Sequence, residues 1–274
     1  MPELPEVETV RRGIAPQVTG RRIQDVIVRD RRLRWPVPRD FESRLRGRTV
    51  QSVQRRAKYL LLELDSGDRL ILHLGMSGRL LLLPTASPAK KHDHVDLAFE
   101  DGPLLRFNDP RRFGVALIWP AGQGQHKLLR GLGPEPLEPE FSADLLFEKS
   151  RGRRVPVKNF LMDGHIVVGV GNIYASESLF RAGIRPGRAA GRATRAEYER
   201  LTVAVRAVLS EAIAQGGSTL KDSSYSKPDG EFGYFQVRLA VYDRAGKPCS
   251  VCATPIRRQI IGQRSSFFCP KCQR

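Results

Sequence analysis

All four cysteines of this 274-residue chain fall in its last 26 positions, as Cys249-x2-Cys252, sixteen intervening residues, then Cys269-x2-Cys272. Each C-x-x-C turn aims two thiolates at one point, and two such turns close a four-thiolate tetrahedron with no open position. The spacing predicts one structural Zn2+ that holds the C-terminal module together and takes no part in chemistry. Two disulfides or four free thiols would use the same residues, but disulfides do not suit the expected compartment. The start, Met1-Pro2-Glu3-Leu4-Pro5-Glu6, places acids and two prolines where a secretory signal needs a basic and then apolar stretch. No apolar run reaches the roughly 18 residues that span a bilayer. The expectation is a cytoplasmic protein without a membrane partner. Between the cysteine pairs, residues 256–268 read as a hairpin with Gly262 near its turn, a ribbon able to push Arg264 into a nucleic-acid groove.

The charge points to the same kind of partner. Forty-six Lys+Arg against 29 Asp+Glu leave a formal charge of +17, and the pI is near 10.4, too basic for an ordinary metabolic enzyme. Each phosphate met by a Lys or Arg releases condensed counterions, so nucleic acid is the first candidate. The split of 36 Arg to 10 Lys looks partly like codon bias over a solvated surface. Clustering argues against that alone: eight arginines lie between Arg11 and Arg34, Arg151, Arg153, Arg154 and Lys158 form a second group, and residues 244–274 hold seven basic side chains and no acid. A hydrophobic content of 41% excludes a disordered chain, and the length suits about two domains.

Leu4, Val7, Val10 and Ile14 fall at helical spacing behind Pro5, which a first helical turn tolerates. Short strands are then predicted over 23–28, 59–64, 69–74, 79–83, 95–99, 104–107 and 115–119, an antiparallel sandwich by their Gly, Pro and Asp turns. Two connections, residues 73–78 and 108–114, place Met76, Arg111 and Phe113 at turn tips where nothing obvious covers them. Residues 131–139 read as a linker. Helices are expected from Ser142 to Lys149, from Gly171-Asn172 to Gly183, and from the capping box Thr194-x-x-Glu197 to Gly216-Gly217. Residues 218–235 read as a polar loop. His92-Asp93-His94 invites a metal reading, but strand spacing supplies only two imidazoles and no third strong ligand, so they are read as structural.

Taken together, these residues resemble formamidopyrimidine-DNA glycosylases, bacterial repair enzymes for oxidised purines. Six separated motifs carry the resemblance, in order: the run from Pro2 to Thr9, Lys58 within Arg56-Ala57-Lys58-Tyr59-Leu60, His73 to Gly78, Asp109 to Gly114, Val170-Gly171-Asn172-Ile173-Tyr174, and the cysteine ribbon. The resemblance implies an α+β multidomain chain. An N-terminal β-sandwich with an N-terminal helix would occupy residues 1–133, a helical helix-two-turns-helix domain with a lesion-capping loop 134–235, and the zinc-ribbon hairpin 236–274. It implies a monomer, associated with the bacterial nucleoid, that acts on damaged double-stranded DNA in base excision repair. Such an enzyme excises 8-oxoguanine and formamidopyrimidines and cuts the strand by β,δ-elimination.

The resemblance also assigns roles. The amine of Pro2 is the nucleophile, which requires removal of Met1, and Glu3 is the acid for the sugar ring oxygen. Without the resemblance, Pro2 and Glu3 read as a helix start and a carboxylate stabilising a helix N-terminus. Glu6 and His73 belong to the DNA-binding set. Phe113 wedges beside the orphaned base, Met76 fills the void, and Arg111 hydrogen-bonds the opposite cytosine; as isolated residues, Met76 and Phe113 would be read as core. Lys58 and Arg264 join the catalytic group and, with Lys158 and Asn172, grip phosphate, while Tyr174 supports that site. The segment 221–235 closes over the extruded base in the family, but no residue in it takes a base contact from sequence. The related endonuclease VIII type, an oxidised-pyrimidine enzyme, starts Pro-Glu-Gly-Pro-Glu and lacks the Arg-Arg-Phe wedge. Leu4 and Arg111-Arg112-Phe113 favour the purine enzyme. A non-enzymatic zinc-ribbon binder of DNA or ribosomal RNA fits the charge and cysteines equally, and only the N-terminal motif argues for catalysis.

Overall fold

In the computed structural model, which describes residues 2–217 and 239–274, the apolar stripe of the N-terminus becomes helix α1 (Leu4–Val18), with Leu4, Val7, Val10, Ile14 and Val18 at most 1% exposed. Glu3 is its N-cap, and the Glu3 backbone N–H donates to the Glu6 carboxylate at 2.8 Å. This closes a capping box that fixes the entry of the chain.

The described residues fall into two compact units. In the first, two four-stranded antiparallel sheets face each other. One runs β1 (Ile23–Val28), β6 (Asp93–Phe99), β7 (Leu104–Asn108), β5 (Arg79–Leu83) in spatial order; the other runs β2 (Val50–Arg56), β3 (Tyr59–Leu64), β4 (Arg69–His73), β8 (Val115–Trp119). Their inner faces share one core with α1 and the short helix α2 (Phe41–Leu45): Ile23, Val50, Leu60, Leu62, Leu70 and Leu72 are each at most 2% exposed. The sandwich of the sequence reading is present, with one strand more. β2 escapes the pattern because its buried residues, Val50 and Val53, are three apart across a bulge between Val50 and Ser52.

The second unit is helical: α3 (Ala143–Ser150), α4 (Val157–Leu161), α5 (Asn172–Ala182) and α6 (Arg195–Ala214). Ser142 caps α3 by accepting the Leu145 N–H at 3.2 Å, and Thr194 with Glu197 forms the expected capping box on α6. The ribbon β9 (Arg257–Ile261) and β10 (Arg264–Phe268) turns through Gly262 and Gln263, both with positive φ. It packs on α5 through Phe180, Val241, Cys249, Ile256, Phe267 and Cys269. Glu177 of α5, 5% exposed, accepts the backbone N–H groups of Ala240, Val241 and Tyr242 at 2.7–3.0 Å. Among the described residues no helix is long and apolar enough to cross a membrane.

Candidate active site and nucleic-acid interface

Within the first unit, three loops and the start of α1 carry the expected residues. Pro2 is buried and precedes Glu3 and Glu6, each 3% exposed. A Cβ on Gly217 would sit 3.1 Å from Glu6 Cγ and Oε1, and Gly217 holds φ +86°, so this position suits only glycine. Met1 and the expected capping segment 221–235 lie outside the described residues.

Lys58 occupies the turn between β2 and β3, behind Ala57 at φ +55°. Tyr59 pairs across the sheet with His73, their rings 4.8 Å apart. Burial lowers the His73 imidazole to about 4, and the positive charges of Lys58 and Arg34 push the same way. Its Nδ1 accepts the Gly75 N–H at 2.9 Å. A neutral ring accepting at Nδ1 carries its hydrogen on Nε2, so the His73 imidazole is an uncharged donor at that atom. Arg34 is a residue the sequence reading left unassigned. Its backbone N–H donates to the Gly114 carbonyl at 3.2 Å, which ties it to the loop after Asp109. The only signal for it was its place at the end of the first arginine cluster.

Met76 and Phe113 are 38% and 43% exposed, and the Arg111 guanidinium lies 4.8 Å from the centre of the Phe113 ring. Exposed apolar tips of this size need something to hold them outward, and Asp109, fully buried, does so. Its Oδ1 accepts from Ser77 Oγ at 2.6 Å and from the Arg111 N–H at 3.3 Å, and its Oδ2 accepts the Gly114 N–H at 2.7 Å. Ser77 lies next to Met76, so one carboxylate ties the two loops together. They touch so closely that a Cβ on Gly75 would lie 2.4 Å from the Phe113 carbonyl carbon. The His92-Asp93-His94 motif belongs to this support: the Asp109 N–H donates to the His92 carbonyl at 3.0 Å, and His94 Nε2 bonds the Asp109 carbonyl at 2.8 Å. Arg112 turns back, at φ +57°, to pair with Asp30 at 2.6 Å. Asp109→Ala strands the Gly114 N–H and the Ser77 hydroxyl, and is expected to cost about 3 kcal/mol of stability. Denaturant titration checks this; unchanged stability would show that the two loops are held by other means.

In the second unit, Lys158 is 1% exposed and its Nζ donates to Asn172 Oδ1 at 2.6 Å, Ser266 Oγ at 2.7 Å and the Ser265 carbonyl at 3.1 Å. Asn172, first residue of α5, donates to the same Ser265 carbonyl at 3.2 Å. The structure thus gathers Lys158, Asn172 and the strand bearing Arg264 at one place. Lys158 acts here as a buried clamp behind Asn172, where the sequence reading has it as a phosphate grip. Arg264 is exposed at the hairpin tip, and its guanidinium has no partner among the described residues. Tyr174 is 0% exposed, so it supports from within the core.

The four cysteine sulfurs lie within 4.8 Å of one another, with Cys252–Cys269 at 3.4 Å and Cys249–Cys272 at 3.9 Å. A tetrahedral zinc with bonds near 2.3 Å needs sulfur separations of about 3.8 Å, whereas a disulfide needs about 2 Å. The backbone N–H groups of Val251 and Cys272 each reach a sulfur at 3.4 Å, as thiolate ligands require. Without a cation the four cannot all ionise. Hydrogen bonds from the Thr254 side chain and backbone lower Cys252 to about 6, while its bond with Cys252 and burial push Cys272 up to about 12. The donor set fits one structural zinc.

Comparison with known proteins agrees with this geometry. The family model for the formamidopyrimidine-DNA glycosylase N-terminal domain matches residues 1–116, that for its H2TH domain matches 132–224, and that for the zinc finger found in FPG and IleRS matches 246–274. The formamidopyrimidine-DNA glycosylase of Thioalkalivibrio sulfidiphilus is 58% identical over 275 residues, covering 100% of both chains. The crystal structure of the MutM (FPG) protein from Thermus thermophilus superposes with a TM-score of 0.89 at 42% identity, covering 99% of this chain and 98% of that one. Lactococcus lactis Fpg in complex with abasic-site DNA gives a TM-score of 0.90 at 33% identity, covering 99% of each. Three domain models in sequence order and identity sustained over the full length place this chain in the formamidopyrimidine-DNA glycosylase family.

Proposed function

We propose that the protein is a bifunctional DNA glycosylase and AP lyase that removes 8-oxoguanine and formamidopyrimidines from duplex DNA in base excision repair, acting as a monomer in the cytoplasm on the nucleoid. The division into residues 1–133, 134–235 and 236–274 is part of this reading. The observation that carries it is the pair of exposed apolar tips, Met76 and Phe113, held on two loops by one buried carboxylate. A base inside a duplex is beyond reach of any side chain, and extruding it costs a few kcal/mol. Met76 fills the vacated stack, Phe113 wedges beside the orphaned base, and Arg111 reads its cytosine partner.

The chemistry falls to the start of α1. The lone pair of the Pro2 amine attacks C1′, and the damaged base leaves with the electrons of its glycosidic bond. Glu3 protonates the ring oxygen, which opens the sugar to an iminium ion. That cation acidifies the C2′ proton; its loss expels the 3′ phosphate, and a second elimination expels the 5′ phosphate. Glu6 positions the nucleotide. Lys58 and His73 in the first unit, and Arg264 and Asn172 in the second, face the phosphates, with Lys158 and Tyr174 behind them. Zinc supplies no step and shapes the ribbon that bears Arg264. Rates on duplexes carrying 8-oxoguanine opposite cytosine, or thymine glycol, test the substrate class. The oxidised purine is expected to react at least about tenfold faster, and preference for thymine glycol would reassign the protein to oxidised pyrimidines.

A further inference from the structure

One buried carboxylate on α1 has no part in that sequence of steps. Glu8 is 8% exposed and gathers three guanidinium groups: Arg11 at 2.8 and 3.0 Å, Arg12 at 2.9 Å and Arg55 at 3.2 Å. Burial alone would raise its carboxyl, but hydrogen bonds from Arg11 and Arg12, with the charges of Arg11 and Arg55, bring it down to about 2. It therefore stays ionised wherever the protein is folded and active. Arg11 and Arg12 lie one turn along the same helix, at the ordinary spacing of ion pairs on one helix face. Helix stability gives no reason for the third partner.

Arg55 comes from β2, and its other end is informative. While its Nε holds Glu8, its Nη1 donates to the Ala57 carbonyl at 3.0 Å. Ala57 and Lys58 are the two residues between β2 and β3, and Ala57 sits at φ +55°, where a residue with a Cβ needs outside support. A second tie, from Arg11 Nη1 to the Val53 carbonyl at 3.3 Å, joins the same helix to the same strand. The path from Glu8 through Arg55 to Ala57 thus runs from the helix that begins at the proposed nucleophile to the turn that carries Lys58.

We propose that Glu8 and Arg55 are positioning residues for the reaction, a strap that fixes the Lys58 turn relative to the Pro2–Glu3 end of α1. The proposal rests on the reading of Lys58 as a member of the catalytic group, and a double-mutant cycle tests the two separately. Single-turnover strand cleavage of an abasic-site duplex is measured for the wild type, Glu8→Gln, Lys58→Ala and the double variant, with borohydride trapping in parallel. Glu8→Gln keeps the side-chain volume and removes the charge. It is expected to slow cleavage at least about tenfold, because a small misplacement of a reacting group is enough for that. Trapping should stay within about twofold, and in the Lys58→Ala background Glu8→Gln should change cleavage less than about twofold. Cleavage left intact by Glu8→Gln, trapping slowed as much as cleavage, or an undiminished effect without Lys58 would each overturn the strap. Wild-type cleavage by Lys58→Ala would instead overturn the role of Lys58, and the strap with it. Arg55→Gln leaves the contacts of Glu8 with Arg11 and Arg12 in place; it should reproduce the Glu8→Gln pattern, and serves the cycle if Glu8→Gln does not fold.

Discussion

A chain whose first residue is Pro2 is expected to be trapped by borohydride on an abasic-site duplex, and the same chain with one residue ahead of Pro2 is expected to give no adduct. The difference is one of electronic structure. An α-amine has a pKa of about 7.8, so roughly a tenth of it is neutral at pH 7, against well under a thousandth of a lysine amine at about 10.4. One preceding residue turns that nitrogen into an amide, whose lone pair is delocalised and attacks nothing. The loss expected in base excision is at least about a thousandfold, more than 4 kcal/mol in the barrier. Folding should not suffer, since the start of α1 is fixed one residue later, where the Glu3 N–H meets the Glu6 carboxylate at 2.8 Å. Binding to a duplex with a non-hydrolysable abasic analogue should be nearly unchanged, which separates lost chemistry from lost recognition. An adduct formed by the extended chain would assign the attack to another amine, and Lys58 would be the first to examine.

The parts of this molecule that were legible in sequence are those whose signal is periodic or tightly spaced. Helix α1 announced itself through Leu4, Val7, Val10 and Ile14, all of them in the core. The cysteine pairs gave the ribbon and its metal, because two C-x-x-C turns in one short module aim four thiolates at a common point, where the structure gathers them. What stayed hidden depends on long-range pairing. β2 buries Val50 and Val53 out of alternation, and α2 and α4, five residues each, are too short to repeat a stripe. The site divides in the same way. Met76, Arg111 and Phe113 stood out as large side chains on turn tips, but nothing local shows that Asp109 joins their loops, or that His94 braces Asp109 from fifteen residues away. Lys158 reads in sequence as a cation that grips phosphate. Its burial follows from three acceptors, two of which belong to residues over a hundred positions later. Arg34 was one of eight clustered arginines, and only the fold singles it out beside His73 and Gly114.

Cys269→Ser, or removal of the metal by a chelator, is expected to abolish tight duplex binding while the sandwich stays folded. The ribbon cannot stand without its ion. Its two strands have five residues each, four of the five in β9 are exposed, and an isolated two-stranded hairpin is marginal in water. A structural zinc supplies on the order of 10 kcal/mol or more, and much of the small ribbon core is the cysteines themselves. The damage should spread beyond Arg264. Ser265 and Ser266 of β10 provide two of the acceptors around the Lys158 ammonium, so when the strand unravels a nearly buried cation keeps Asn172 but loses those bonds. The ordering of Asn172 at the start of α5 depends on the same strand, through its own bond to the Ser265 carbonyl at 3.2 Å. The expected loss in duplex affinity is at least about a hundredfold, with a shallower dependence of log K on log salt, by about one unit for each phosphate contact removed. The first unit draws no ligand from the ribbon cysteines, so the near-ultraviolet signal of its packed aromatic side chains should persist, and zinc content should fall in step with affinity. Metal-free protein that still binds the duplex with the original salt slope would show that neither Arg264 nor the Lys158 cluster carries the phosphate contacts assigned to them.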